Sequence, residues 1–148
     1  MTNDLFIKLF QRDLDKLKVE ISLYTKKANI WVIDPEISNS AGNLCLHIVG
    51  NLNHFIGFAL GKTGYERNRE SEFSTKNIPT SKLIEEIEEV SKTISNTLAK
   101  LSDENLNEQY PIQKFEENAT IEFLLVHLLC HLNYHLGQVN YHRRLFDI

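Results

Sequence analysis

The chain has 148 residues, of which 42% are apolar, 24% charged and 9% aromatic; that is enough for one domain with a sizeable core and too little for two. Sixteen basic residues against twenty acidic ones give a formal charge of -4, so the basic excess of a nucleic-acid binder is missing. The two cysteines, Cys45 and Cys130, are too few for a disulfide-stapled fold and form no C-x-x-C pair, which leaves them as reduced thiols of a cytoplasmic protein.

In the first segment, from about Asp4 to Thr25, Phe6, Phe10, Leu14, Leu17, Ile21 and Tyr24 recur at intervals of three or four, with charged residues largely between them. This is the pattern of an amphipathic helix. Asp4 and Lys8 at its start do not suit a signal peptide. Trp31, Asp34 and Pro35 break the pattern, and Ser38, Asn39 and Ser40 offer caps for a second helix. There Leu44, Ile48, Leu52, Phe55 and Ala59 keep helical spacing to an end near Gly61. The stretch from Lys62 to Pro79 is polar, lacks a stable period and reads as a long connection.

After Pro79, with Thr80 and Ser81 as capping candidates, Leu83, Ile87, Val90, Ile94, Leu98 and Leu101 give the cleanest helical repeat in the chain. Asp103 to Asn118, with Pro111 inside, is a second linking segment. Thr120 can cap a last helix whose broad apolar face holds Leu124, Leu125, Leu128, Leu132, Leu136 and Val139, and Arg143 and Arg144 suit its carboxyl-terminal turn. Four such helices predict an all-α domain over residues 1–148, a four-helix bundle in which the long second connection permits a crossover.

All six histidines lie in two stretches without Asp, Glu, Lys or Arg, from Ile37 to Gly61 and from Phe123 to His142. Asn, Gln, Ser and His interrupt both runs every few residues, so neither is expected to cross a membrane. On the last helix His127, His131 and His135 follow one another at intervals of four, which brings neighbouring rings close enough to share one ion. No acidic residue lies in either run to pair with a buried charged histidine, and burial favours the neutral imidazole that a divalent cation needs. His47 sits in the other run. Spacing alone leaves two pairs open, His131 with His135 and His127 with His131, and it leaves His47 and His54 as alternatives about 10.5 Å apart along a helix axis. His142, two turns beyond His135, reads as a surface or helix-end residue.

The run His131-Leu-Asn-Tyr-His135-Leu-Gly137-Gln138 resembles the H-x-x-x-H-x-G-Q signature of the DinB/YfiT-like superfamily of metal-dependent proteins. The run from His47 to Asn51, followed by Arg67-Asn-Arg69-Glu-Ser-Glu72-Phe73, is similar to a branch of that superfamily catalogued as a domain of unknown function. The resemblance spans nearly the whole chain. It implies a four-helix bundle with a crossover and one divalent metal on His47, His131 and His135, with His127 and His54 as neighbours.

Three imidazoles suit zinc or nickel, with cobalt, iron and copper also compatible, and they leave at least one coordination position open. Among the readings that the resemblance permits, the leading one is a transferase in which a low-molecular-weight thiol is activated at the metal to attack a small-molecule substrate. The alternatives are a metal-hydroxide hydrolase and a non-catalytic, structural or stress-related metal protein. Arg67 and Arg69 suit a substrate anion, a local salt-bridge cluster with Glu72 being the competing reading. Glu72 is the candidate general base, and Asn51 and Gln138 are candidates to hydrogen-bond around the ligands. Gly137 reads as a point of close helix approach, and Cys45 and Cys130 as buried small residues. Wide apolar faces and the pairing habit of the family are compatible with a homodimer.

Overall fold

A computed structural model of the chain describes residues 2–112 and 116–148. Six α-helices follow in order: α1 (Thr2–Leu23), α2 (Ala41–Leu52), α3 (Arg69–Ser74), α4 (Thr80–Ala99), α5 (Asp103–Leu106) and α6 (Ile121–Phe146). Among the described residues there is no strand, only the isolated bridges between Asp34 and Ile37 and between Gln109 and Thr120. No helix of the described residues is long and apolar enough to cross a membrane.

The four long helical stretches coincide with the four periodic segments, because the apolar residues at three- and four-residue spacing are those that become buried. Phe6, Phe10, Leu14, Leu17 and Ile21 of α1, Leu83, Ile87, Val90, Ile94 and Leu98 of α4, and Leu124, Leu128, Leu132 and Val139 of α6 form one core cluster with Leu44, Ile48 and Leu52 of α2. Each fully buried side chain of this kind contributes roughly 1.5–3 kcal/mol relative to exposure. Helix α1 packs on α4 and α6, and α2 on α3, α4 and α6. Ser40 caps α2 by accepting from Asn43 N, and Thr120 caps α6 by accepting from Phe123 N; each satisfies one of the amide groups left open at a helix start.

The polar connection differs from its aperiodic reading. It contains the six-residue α3, with the Asn68 side chain as cap on Ser71 N, a helix too short for an apolar repeat to reveal. The second linking segment likewise starts with α5, whose capping box joins Ser102 and Asn105; residues 113–115 of that segment lie outside the described residues. After Leu52 the helix widens into a π-helical turn over Asn53–Phe58, with bonds such as Ala59 N to His54 O and Gly61 N to Ile56 O spanning five residues. Such insertions shift every later side chain around the axis. The ring of His54 stacks on Phe58, 5.5 Å between centroids.

Three hydrogen bonds set the direction of α2 against α6. The Tyr110 hydroxyl donates to the Phe55 carbonyl at 2.7 Å, while Tyr110 N donates to Ala119 O just before α6, so the end of the second helical stretch lies beside the start of α6. At the opposite end His142 Nε2 donates to the carbonyl of Val32, upstream of α2, at 2.8 Å. The two helices are therefore antiparallel, and the middle of α2 faces the middle of α6.

That last contact overturns the surface reading of His142, which is 4% exposed because the 3₁₀ segment Lys27–Trp31 and the chain after it cover the end of α6. Its Nδ1 accepts from the Tyr24 hydroxyl at 2.6 Å, so the neutral ring is satisfied at both nitrogens. Burial lowers its pKa, the Val32 bond acting the other way. A histidine held neutral in the fold and free to protonate when unfolded stabilises fully above about pH 6.5, and that contribution is lost as pH falls toward the lowered value. His142→Leu is expected to lose about 1–3 kcal/mol at pH 7.5, since the Tyr24 hydroxyl and Val32 carbonyl lose their partner. Urea unfolding of the metal-free variant at pH 7.5 and 5.5 should also show a smaller loss on acidification than in the unaltered chain.

Candidate metal centre

The antiparallel pairing brings His47 of α2 against His131 and His135 of α6, one turn apart. His131 Nε2 stands 3.2 Å from His47 Nε2 and 3.1 Å from His135 Nε2. Ligand nitrogens of all three rings lie within 4.8 Å of one another, the one such metal-capable group among the described residues. At a zinc–nitrogen length of about 2.05 Å, the 3.2 and 3.1 Å separations each subtend about 100° at a shared ion, close to tetrahedral. The rings meet edge to face, with centroids 4.5 Å apart for His131 and His135 and 5.1 Å for His47 and His135.

Hydrogen bonds on the far side of two rings fix their protons. His47 Nδ1 donates to Glu72 Oε1 at 3.0 Å, and His135 Nδ1 donates to Gln138 Oε1 at 2.7 Å. A neutral imidazole with its hydrogen on Nδ1 presents a lone pair on Nε2. With neutral rings, the three converging nitrogens share at most one hydrogen, that of His131, and lone pairs face one another. Burial lowers the pKa of His131 to about 4, and the nearby His135 and His47 push in the same direction; burial lowers that of His135 as well, against the Gln138 bond. Convergent and proton-directed, this donor set fits a divalent cation.

Glu72 is the acidic residue that the uncharged histidine runs lack, and it arrives from the polar connection. Arg67 clamps it with two bonds, Nε to Oε2 at 2.9 Å and Nη2 to Oε1 at 3.0 Å. The side chains are 9% and 6% exposed respectively. Burial raises the Glu72 pKa, but hydrogen bonds from His47 and Arg67 and the Arg67 charge outweigh this and hold the carboxyl below its ordinary range. Both carboxylate oxygens are engaged. The salt-bridge reading of this cluster is therefore the realised one for Arg67, and Glu72 meets the His47 ring on the side away from the converging nitrogens.

Two residues that seat Glu72 escape sequence reasoning. Asn43, one turn before His47, donates through Nδ2 to the carbonyls of Glu72 at 2.9 Å and Thr75 at 2.8 Å, and its Oδ1 accepts from Lys76 Nζ. It ties α3 to α2. At Gly50 any Cβ would collide with Glu72 Oε2 and Cδ, so the carboxylate packs directly on bare backbone. A glycine inside a helical run costs about 1 kcal/mol relative to alanine, and that cost was the available signal.

The remaining expected residues scatter. Arg69 is exposed and lies 5.4 Å over the Phe73 ring, which in turn sits 4.9 Å from the His47 ring. Asn51 is buried one turn after His47. Cys45 is buried as a small core residue, but Cys130 is exposed on the outer side of α6, one position before His131 and so off the buried line. Gly137 faces open space: a Cβ added there would meet nothing within 4 Å, so no helix approaches it. Gly137→Ala is accordingly expected to stabilise by about 0.5–1 kcal/mol through helix propensity, readable as a raised urea midpoint.

No curated protein matches the chain. The family described as "Protein of unknown function (DUF1572)" matches residues 6–147, a span that contains His47, Arg67, Glu72, His131 and His135, and the chain belongs to that family.

Proposed function

We propose that this chain is a DinB/YfiT-like four-helix bundle with a crossover, holding one divalent transition metal on His47, His131 and His135, and that it acts as a metal-dependent transferase for a low-molecular-weight thiol. The convergence of three Nε2 atoms, two of them with the proton directed away by Glu72 and Gln138, carries the metal reading. When bound, the ion supplies stabilisation of a deprotonated ligand such as a thiolate.

The chain's own groups favour a thiol over water as that ligand. The three rings are neutral and Arg67 and Glu72 cancel, so these groups leave a divalent charge unbalanced and favour an anion in the open position. Glu72, the carboxylate hydrogen-bonded to the trio, already accepts from His47 and Arg67 at both oxygens, which leaves it unsuited to take a proton from water. A thiol, more acidic than water, needs less help from a protein base. Phe73 beside His47, 4.9 Å between centroids, gives that ring an apolar flank.

Cobalt-substituted protein titrated with 2-mercaptoethanol, cysteine and glutathione tests the reading. A saturable thiolate-to-cobalt absorption band is expected with at least one of them. Spectra unchanged by every thiol would remove the transferase reading while leaving the metal site standing.

A further inference from the structure

Asn51 lies one turn beyond His47 on α2 and is 6% exposed, yet its Oδ1 is buried without a hydrogen-bond partner. Buried polar atoms are nearly always paired, and its neighbours along α2, Ile48 and Phe55, are apolar core residues, so a leucine would fill the place at less cost. One turn on, Asn51 shares with His47 the face of α2 that meets α6. Arg67 reaches Glu72 beside His47 and lies 5.7 Å over the ring of Phe55, so it spans the turn that carries Asn51. Because α2 and α6 run antiparallel, Asn51 falls on the His131 side of His47, away from Gln138. Gln138 already receives the His135 proton, and Glu72 that of His47.

We propose that Asn51 Oδ1 accepts a hydrogen bond from the ligand that fills the open position of a metal held by the trio. The proposal rests on the metal reading above and adds the ligand's chemistry. The neutral histidines favour an anion, and the unpaired carbonyl favours one that also carries an N–H or O–H group, as a thiol with an amino, amide or hydroxyl group does. Asn51 is in this sense a ligand-contacting residue that selects among anions of equal charge. It is not needed to hold the ion.

Acetohydroxamate and its N-methyl derivative are suitable probes, since both ligate as anions and only the first has an N–H. Their affinities for the cobalt-loaded full chain are read from its visible spectrum, and their ratio is compared with that for aqueous cobalt. The unaltered chain is expected to favour acetohydroxamate by about five- to tenfold beyond the aqueous ratio, the scale of one buried hydrogen bond. Asn51→Leu keeps the bulk and removes the acceptor, so it should retain one cobalt per chain and lose the preference. A preference that persists in Asn51→Leu would reflect the bulk of the N-methyl group and overturn the proposal. So would its absence from the unaltered chain, a comparison that needs no variant to fold. Failure of the chain to take up cobalt at all would instead strike the metal reading, and the Asn51 inference with it.

Discussion

Glu72→Ala is expected to destabilise the metal-free protein by about 3–5 kcal/mol, the scale of breaking a buried ion pair from one side. The substitution leaves the Arg67 guanidinium, in a side chain only 9% exposed, without its carboxylate, and it takes the acceptor from His47 Nδ1. Much of the cost comes from the uncompensated Arg67 charge, so removing both charges in Arg67→Met/Glu72→Leu should recover most of the loss. Glu72→Gln keeps the shape and one acceptor oxygen and should fall between. Because the carboxyl is held below its ordinary range, the pair stabilises fully above about pH 4.5 and weakens as pH falls below it. Urea unfolding of the three variants at pH 7 and of the unaltered chain from pH 7 to 3.5 checks both statements. Gly50→Ala should mimic part of the effect, since its methyl occupies the place of the carboxylate.

The helices were legible in the sequence because burial and periodicity coincide along α1, α4 and α6. The trio was legible only in part: runs without charge and helical spacing narrowed it to His47 or His54 with a pair among His127, His131 and His135, and the choice of His47, His131 and His135 came from the resemblance. What escaped depends on contacts distant in sequence. Nothing local in the polar connection shows that Glu72 will lie against Gly50 and His47, because α3 is six residues long and is tied to α2 by Asn43 across about thirty positions. His142 looked like a helix end, and becomes buried only when the segment after α1 folds back over it. The π-helical turn at Asn53–Phe58 likewise leaves no mark in a spacing of Leu52, Phe55 and Ala59 that an ordinary helix would share.

Metal binding is expected to stabilise the chain by roughly 4 kcal/mol at a metal concentration a thousandfold above Kd, a rise in Tm on the order of 10 °C for a domain of this size. Helicity by circular dichroism should stay unchanged. The core of α1, α4 and α6 is built from apolar contacts that do not involve the trio, and Glu72 and Gln138 already orient two of the rings. A metal that instead held the fold together would make helicity collapse on chelation. His131→Ala should abolish the stabilising increment, because His131 Nε2 is the nitrogen close to both partners. In the metal-free state the same substitution should cost little, since it also removes the crowding of lone pairs.

Metal content after saturation and gel filtration, measured by elemental analysis, tests the centre most directly. The unaltered chain and His127→Ala should each carry about one equivalent, and His47→Ala, His131→Ala and His135→Ala should carry close to none. Equal retention in all five proteins would contradict a centre built on these three histidines.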